Sequence, residues 1–253
     1  MNDWALVTGA SSGIGLELAR VFAAGGWNVL LVARDAGKLE QVASELRGQH
    51  KVDAVSLPHD LVEPGAAAEL FAAAGHTPVS ALVNNAGFGA YGEFARSPLN
   101  SQTEMIQVNM TALVELTHYF LQPMLARRQG RILNVASTAA FQPGPTVNVY
   151  YASKAFVYSF SYGLAVELKG TGVTATALCP GMTRTSFFSR ARLRMRDGFA
   201  MDARAVAEAG YAGMLKGKRV VIPGALNRVM SFFARRTPPA LTSQIVKQIH
   251  SPA

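Results

Sequence analysis

The 253-residue chain holds a single cysteine, Cys179, so no intramolecular disulfide is available to it. No cluster of cysteine and histidine offers zinc-like ligand spacing, and no metal site is expected. Both absences point to a reducing, cytoplasmic setting and away from a secreted scaffold. No uninterrupted apolar stretch approaches the roughly 18 residues of a membrane span. The opening MNDWALVTGA enters a strand-like run without the basic and apolar regions of a signal peptide, and a soluble protein is expected. Internal repeats, low-complexity tracts and Pro/Ser-rich linkers are also missing, which leaves a single domain over residues 1–253 as the economical reading. Only 16% of residues are charged against 49% hydrophobic, enough to build a large core and to exclude disorder as the main state.

Acidic residues are scarce in one part of the chain. Residues 1–185 carry 12 basic and 13 acidic side chains, whereas residues 186–253 carry 12 basic and 3 acidic, so the formal charge of +8 sits wholly in the last quarter. A nucleic-acid binder would be basic over its body, and no nucleic-acid partner is expected. A local surface facing anions or other subunits is.

Short apolar runs alternate with helix-length segments. Ala5–Thr8, Val29–Ala33, Ala81–Asn84, Arg131–Ala136, Val173–Cys179 and Val220–Ile222 read as strands. Continuously apolar strands joined by crossovers of a dozen or more residues imply a parallel sheet covered on both faces, so the fold class is α/β, a doubly wound parallel sheet. Ser101 with Glu104 forms a capping box ahead of a long helical pattern ending near Gly130, and Asp202 is a candidate N-cap for a helix closing near Gly217. Phe156, Phe160 and Leu164 share one face of a helix over about 150–168. Residues 186–201 show no clean period and read as an excursion above the sheet.

Two patterns carry chemistry. Thr8-Gly9-Ala10-Ser11-Ser12-Gly13-Ile14-Gly15 follows the first strand and opens a helix, where glycines let backbone N–H groups approach a pyrophosphate. Taken alone, such a turn also fits a purely structural role, another nucleotide or S-adenosylmethionine. Tyr150 and Lys154 stand four apart and share a helix face, so the ammonium is expected to lower the phenol from its usual value of about 10. Ser137 follows a strand and suits a hydrogen bond to the same substrate oxygen. Taken singly, the Tyr/Lys pair also reads as a solvated contact and Ser137 as a helix cap.

In this order TGASSGIG, Asn84-Asn85-Ala86-Gly87, Asn109, Ser137, Tyr150-Tyr151-Ala152-Ser153-Lys154 and Pro180-Gly181-Met182-Thr183-Arg184-Thr185 resemble the short-chain dehydrogenase/reductase family over residues 4 to about 185. The resemblance implies a Rossmann-type fold, a nicotinamide cofactor, and a catalytic set of Asn109, Ser137, Tyr150 and Lys154. Tyr150 would be the general acid/base and Ser137 a hydrogen-bond donor. Lys154 would also hold the nicotinamide ribose, and Asn109 a water of a proton relay. It further implies cofactor contacts from Gly9, Ser11, Ser12, Gly13, Ile14, Gly15, Arg34, Asp60, Leu61, Asn85, Ala86, Gly87, Tyr150, Lys154, Pro180, Gly181, Thr183 and Thr185. Ala33 stands where users of NAD carry an acid and Arg34 where users of NADP carry a base, which favours NADP(H) over NAD. The alternative pairs Arg34 with Asp35 on the surface. Phe88, Phe141, Tyr151, Met182, Phe187 and Phe188 are candidate substrate contacts whose apolar character suits a hydrophobic carbonyl or alcohol, although each also suits simple packing of a lid over about 186–201. Members of the family commonly form homodimers or homotetramers.

The alternating Arg190, Arg192, Arg194 and Arg196 fit either a solvated run or a face for an anionic acyl carrier. Over about 225–253, Leu226, Val229, Met230 and Phe233 form a stripe beside Arg228, Arg235 and Arg236, with a second amphipathic pattern over Leu241–Ile249 after Pro238-Pro239. Burial on the body or in a subunit interface is the favoured reading, contact with an anionic membrane surface the alternative. The chain is thus expected to be an NADP(H)-dependent oxidoreductase acting on an alcohol/carbonyl pair of a small-molecule substrate. A non-catalytic NADP-binding sensor and a membrane-peripheral reductase of a lipid or acyl carbonyl are the other readings. Cys179 reads as a small core residue.

Overall fold

The computed structural model describes residues 3–187, 191 and 200–249. In chain order the elements are β1 (Trp4–Thr8), α1 (Gly13–Ala24), β2 (Asn28–Ala33), α2 (Ala36–Gln49), β3 (Ala54–Pro58), α3 (Ala66–Ala74) and β4 (Val79–Asn84). There follow α4 (Leu99–Ile106), α5 (Ala112–Ala126), β5 (Gly130–Val135), α6 (Asn148–Glu167), β6 (Val173–Leu178), α7 (Ala203–Leu215), β7 (Val220–Val221), α8 (Ala225–Ala234) and α9 (Pro239–Ile249).

The strands form one seven-stranded sheet in the order β3-β2-β1-β4-β5-β6-β7, with every pair parallel. Successive side chains of a strand point to opposite faces. Accordingly Ala5, Val7, Val29 and Leu31 join Leu18, Phe22, Leu39 and Leu46 in one core, under α1 and α2. Leu6, Leu30, Val32 and Leu82 join Leu70, Leu116, Phe120 and Leu164 in the other, under α3, α5 and α6. A sheet buried on both sides has no polar face to show, which is why its strands read as unbroken apolar runs. From β1 the chain winds outward to β3, then returns to β4 on the other side of β1. That reversal opens a crevice at the carboxyl ends of β1 and β4, where doubly wound folds bind ligands.

The structure corrects four expectations. Strand β3 was not anticipated; it lies at the sheet edge and only Ala54 of its five residues is buried, so it lacks an apolar signal. The capping box fails: α4 starts at Leu99 behind Pro98, whose φ of −58° is already set for helix, and Ser101 lies inside the first turn. The single long helix is instead α4, a π-helical turn over Gln107–Thr111, and α5. Finally, the stripe on α8 is not buried on the body: Leu226, Val229, Met230 and Phe233 are all exposed, because Asn227 and Ser231 occupy the inward side. The Asp202 cap is found as expected, accepting from Arg204 and Ala205 N–H ahead of α7. Of the expected cover over 186–201, residues 188–190 and 192–199 lie outside the described residues, and with them Phe188 and the four alternating arginines.

Candidate active site

The glycine-rich turn runs from the end of β1 into α1. Gly9 has φ +68°, a conformation that L side chains rarely adopt. Gly15 is needed for space: a Cβ there would fall 2.2 Å from the Gly9 carbonyl oxygen and 2.3 Å from Asn85 Nδ2. The helix opens at Ser12 without a side-chain cap and without an acidic residue in its first turn. Its first N–H groups are left open toward the crevice, a ready site for an anion. Thr185 folds over this helix end, its Cγ2 lying 3.1 Å from where a Cβ on Gly13 would stand. Gly13, Arg184 and Thr185 help to line a cavity of about 330 Å³ there.

The turn after β4 is stitched to this one. Thr8 Oγ1 accepts from the N–H groups of Asn85 and Ala86, both at 3.0 Å, and Asn85 Nδ2 donates to the Thr8 carbonyl at 2.9 Å. Asn85 therefore holds the two turns together, leaving Ala86 and Gly87 at the crevice wall. Thr8, absent from the expected set although it heads the quoted motif, is the pin of that stitch.

Ser137, at the end of β5, caps a 3-10 turn (Thr138–Phe141) by accepting from Ala139 N–H at 3.1 Å. Its hydroxyl donates to the Pro180 carbonyl at 3.4 Å and lies near enough to the Tyr150 phenol to pull the phenol's pKa down, so the cap and a place in the site coexist. Tyr150 and Lys154 stand in the first turns of α6, with the Lys154 ammonium 5.8 Å from the centre of the Tyr150 ring. Lys154 is buried and donates to the Val135 carbonyl at 2.8 Å. Burial pushes the lysine down to about 8. Burial likewise pushes the Tyr150 phenol up to about 12, with the Ser137 hydrogen bond pulling the other way. The expected lowering of the phenol is thus reversed in the protein alone, because desolvation of a phenolate outweighs one hydroxyl donor and the ammonium is held by a carbonyl.

Asn109 lies in the π-helical turn, a distortion frequent at functional sites. Its side chain clamps the backbone of Phe88, accepting from the N–H at 3.1 Å and donating to the carbonyl at 3.0 Å. It also donates to Ser153 Oγ at 3.0 Å, and Ser153 donates to the Tyr150 carbonyl at 2.7 Å. Asn109 is therefore a positioning residue that ties the β4 turn to the helix bearing Tyr150. Ser153, inside the quoted YYASK run, is the partner that motif reading missed.

The remaining expected residues divide. Arg34, at the end of β2, is 71% exposed and stands 3.8 Å from an Asp60 carboxylate oxygen. Asp35 caps α2 through Lys38 N–H and pairs with Lys38, so the alternative Arg34–Asp35 pair is not formed. Leu61 is buried and packs below the sheet. Phe187 lies against Tyr150, ring centres 5.1 Å apart, and above Gly89. Gly181 sits against the Asn227 side chain, Met182 accepts from Met201 N–H, and Thr183 is buried with Oγ1 on the Gly181 carbonyl. Tyr151 is buried against Gly144 and Val246, and burial raises its phenol. Phe141 turns toward Tyr158 and under the Arg235 guanidinium, 3.9 Å from its ring centre. Tyr151 also lies edge-on to Tyr150, ring centres 6.1 Å apart. Cys179 is a buried thiol raised by burial to about 12, in keeping with a core role.

A glycine cradle at an open helix end, beside a serine, a tyrosine and a buried lysine, defines a nucleotide-binding α/β oxidoreductase. The chain belongs to the short-chain dehydrogenase family, whose sequence profile matches residues 3–195. It is 40% identical over 192 residues to a sulfoacetaldehyde reductase of Chromohalobacter salexigens, covering 74% of this chain and 75% of the relative. It is 38% identical over 192 residues to a serine 3-dehydrogenase of Agrobacterium fabrum, covering 74% of each. Among solved structures, a short-chain dehydrogenase from Sphingobium yanoikuyae in complex with NADPH superposes with a TM-score of 0.85 at 31% identity over 95% of each chain.

Proposed function

We propose that this chain is an NADP(H)-dependent oxidoreductase interconverting an alcohol and a carbonyl on a hydrophobic small molecule. The observation that carries the reading is the meeting of the Ser137 and Tyr150 hydroxyls beside the buried Lys154 ammonium, at the rim of the glycine cradle. The cradle fits a dinucleotide: the space a Cβ would fill at Gly15 is closed to side chains, and the helix end behind it lacks a cap. Gly9, Ser11, Ser12, Gly13, Ile14 and Gly15 would hold its pyrophosphate, Lys154 its nicotinamide ribose, and Ala86 and Gly87 would lie beside its adenosine ribose. When bound, the nicotinamide supplies or accepts the hydride. In reduction Tyr150 gives its proton to the carbonyl oxygen as negative charge grows there, and Ser137 donates a second hydrogen bond. Asn109 and Ser153 hold the helix and the β4 turn in register.

Arg34 supports the choice of NADP(H). Its guanidinium is exposed at the end of β2, where a 2′-phosphate would sit, and its ion pair with Asp60 is long. The NADPH complex of the Sphingobium relative agrees with it. Phe187 over Tyr150 supports an apolar substrate. The exposed Tyr162 and Val166, one turn apart on α6, support a homodimer or homotetramer. The single cysteine supports a cytoplasmic setting.

The test is loss of NADPH absorbance with a panel of aldehydes and ketones. Tyr150→Phe is expected to lower kcat by about 10² or more while leaving the Kd for NADPH nearly unchanged. Wild-type turnover retained in that variant would remove Tyr150 from the chemistry.

A further inference from the structure

We propose that α8 and α9 dock this protein onto an anionic lipid surface. Helix α8 is oriented against the usual rule. Leu226, Val229, Met230 and Phe233 follow the i, i+3, i+4, i+7 spacing of one helix face, and all four are exposed, Phe233 to 61%. The side turned to the body carries Ser231, buried, and Asn227, which donates to the Pro223 carbonyl at 2.9 Å and packs on Gly181. Phe232 adds a further exposed ring. Helix α9 also exposes Leu241 and Ile245, while its Val246 and Thr242 are buried. An apolar face of this kind on a folded body marks a contact surface.

Charge selects the occupant. From residue 209 to the end the chain has seven lysines and arginines and no acidic residue. Arg228, Arg236 and Lys247 are exposed around the stripe, and the Arg236 guanidinium lies 3.6 Å from the centre of the Phe232 ring. Rings and leucines bordered by cations are the composition that lies in a headgroup layer, with arginines reaching lipid phosphates. A second copy fits less well. A two-fold contact sets a patch against itself, so this cationic rim would meet its own image.

The location adds a consequence, which rests on the reductase reading above. Val246 packs with Ala139, Val147 and Tyr151, next to Tyr150, and Arg235 covers Phe141. The helices of the lipid face therefore also brace the wall of the catalytic site.

The experiment is co-sedimentation of the full-length protein with vesicles of phosphatidylglycerol and phosphatidylcholine, against phosphatidylcholine alone, at low and high salt. The protein is expected to pellet with the anionic vesicles only, to be released by salt, and to bind at least about tenfold more weakly as Met230→Glu/Phe233→Glu. Both positions are exposed, and an unchanged circular-dichroism melt of the variant establishes that it folds. No pelleting of wild type with anionic vesicles at low salt overturns the proposal. So does a variant that pellets normally but has a changed molar mass by light scattering, which assigns the stripe to a second copy. Because sedimentation needs no turnover, pelleting without NADPH oxidation would sink the reductase reading and leave the lipid surface standing.

Discussion

The crevice at β1 and β4 and the carboxyl-terminal helices handle the same materials in opposite ways. In the crevice, polar groups are consumed within the protein: Thr8 takes two N–H groups, Asn85 a carbonyl, and Asn109 three partners. In α8 the polar Asn227 and Ser231 go inward and the apolar stripe goes out. The stitched turns are thus a closed arrangement in which one added atom at Gly15 has no place, whereas the α8 face is open to solvent. Function follows the same division: the closed region fixes geometry for chemistry, and the open one offers area for adhesion.

Among changes at the site, the largest expected effect is in the stitched turns. Gly15→Ala puts a methyl 2.2 Å from the Gly9 carbonyl oxygen and 2.3 Å from Asn85 Nδ2, both parts of the stitched turns. Relief requires moving backbone, at a cost of about 3 kcal/mol, and nucleotide affinity should fall more than tenfold. Calorimetric titration of NADPH and a thermal melt check both. Wild-type binding would show the crevice to be as permissive as α8.

A smaller effect, and one of opposite sign, is expected at Lys154. Burial lowers its pKa from 10.5 to about 8. Between those values the unfolded chain holds a proton that the folded chain does not, so stability rises with pH across that window and its cost is complete below about pH 8. Lys154→Met removes that cost but leaves the Val135 carbonyl without its donor, an offset of about 1 kcal/mol. The variant should lose turnover yet be more stable than wild type by about 1–2 kcal/mol at pH 7, the gain vanishing toward pH 10. A variant less stable than wild type at pH 7 would mean that the charged hydrogen bond outweighs desolvation.

Arg34 sharpens the contrast, since it belongs to the crevice but is exposed as α8 is. Arg34→Ala should raise the KM for NADPH about tenfold, through loss of a charge-assisted contact, with little change for NADH. Equal effects on both cofactors would assign the arginine to general attraction of anions.

Why some of this was legible in the sequence and some not follows from range. Gly15 and the four-residue step from Tyr150 to Lys154 are local demands of backbone and helix period, and they read directly. The partners of Asn109 lie 21 and 44 residues away, so only the fold could supply them. The phenol was expected to fall and instead rises, because spacing gives proximity to an ammonium but not the depth of burial. Strand β3, at an edge with one buried residue, left no apolar run to find. Periodicity identified the residues sharing the α8 stripe but carried no information on which way that face points.

The direction of that face makes the last prediction the smallest. Phe22 and Phe233 are the same residue type, one fully buried between α1 and the sheet and the other 61% exposed on α8. Phe22→Ala should cost about 3–5 kcal/mol, the usual toll of an emptied core site. Phe233→Glu, although it replaces a ring by a charge, should change stability by less than about 0.5 kcal/mol, since the glutamate stays in water and meets only cations along the helix. Urea titration of the two variants measures both. Should Phe233→Glu cost as much as Phe22→Ala, the α8 ring is packed in the folded protein, the two regions are alike after all, and an outward-facing apolar surface is no longer there for lipid to meet.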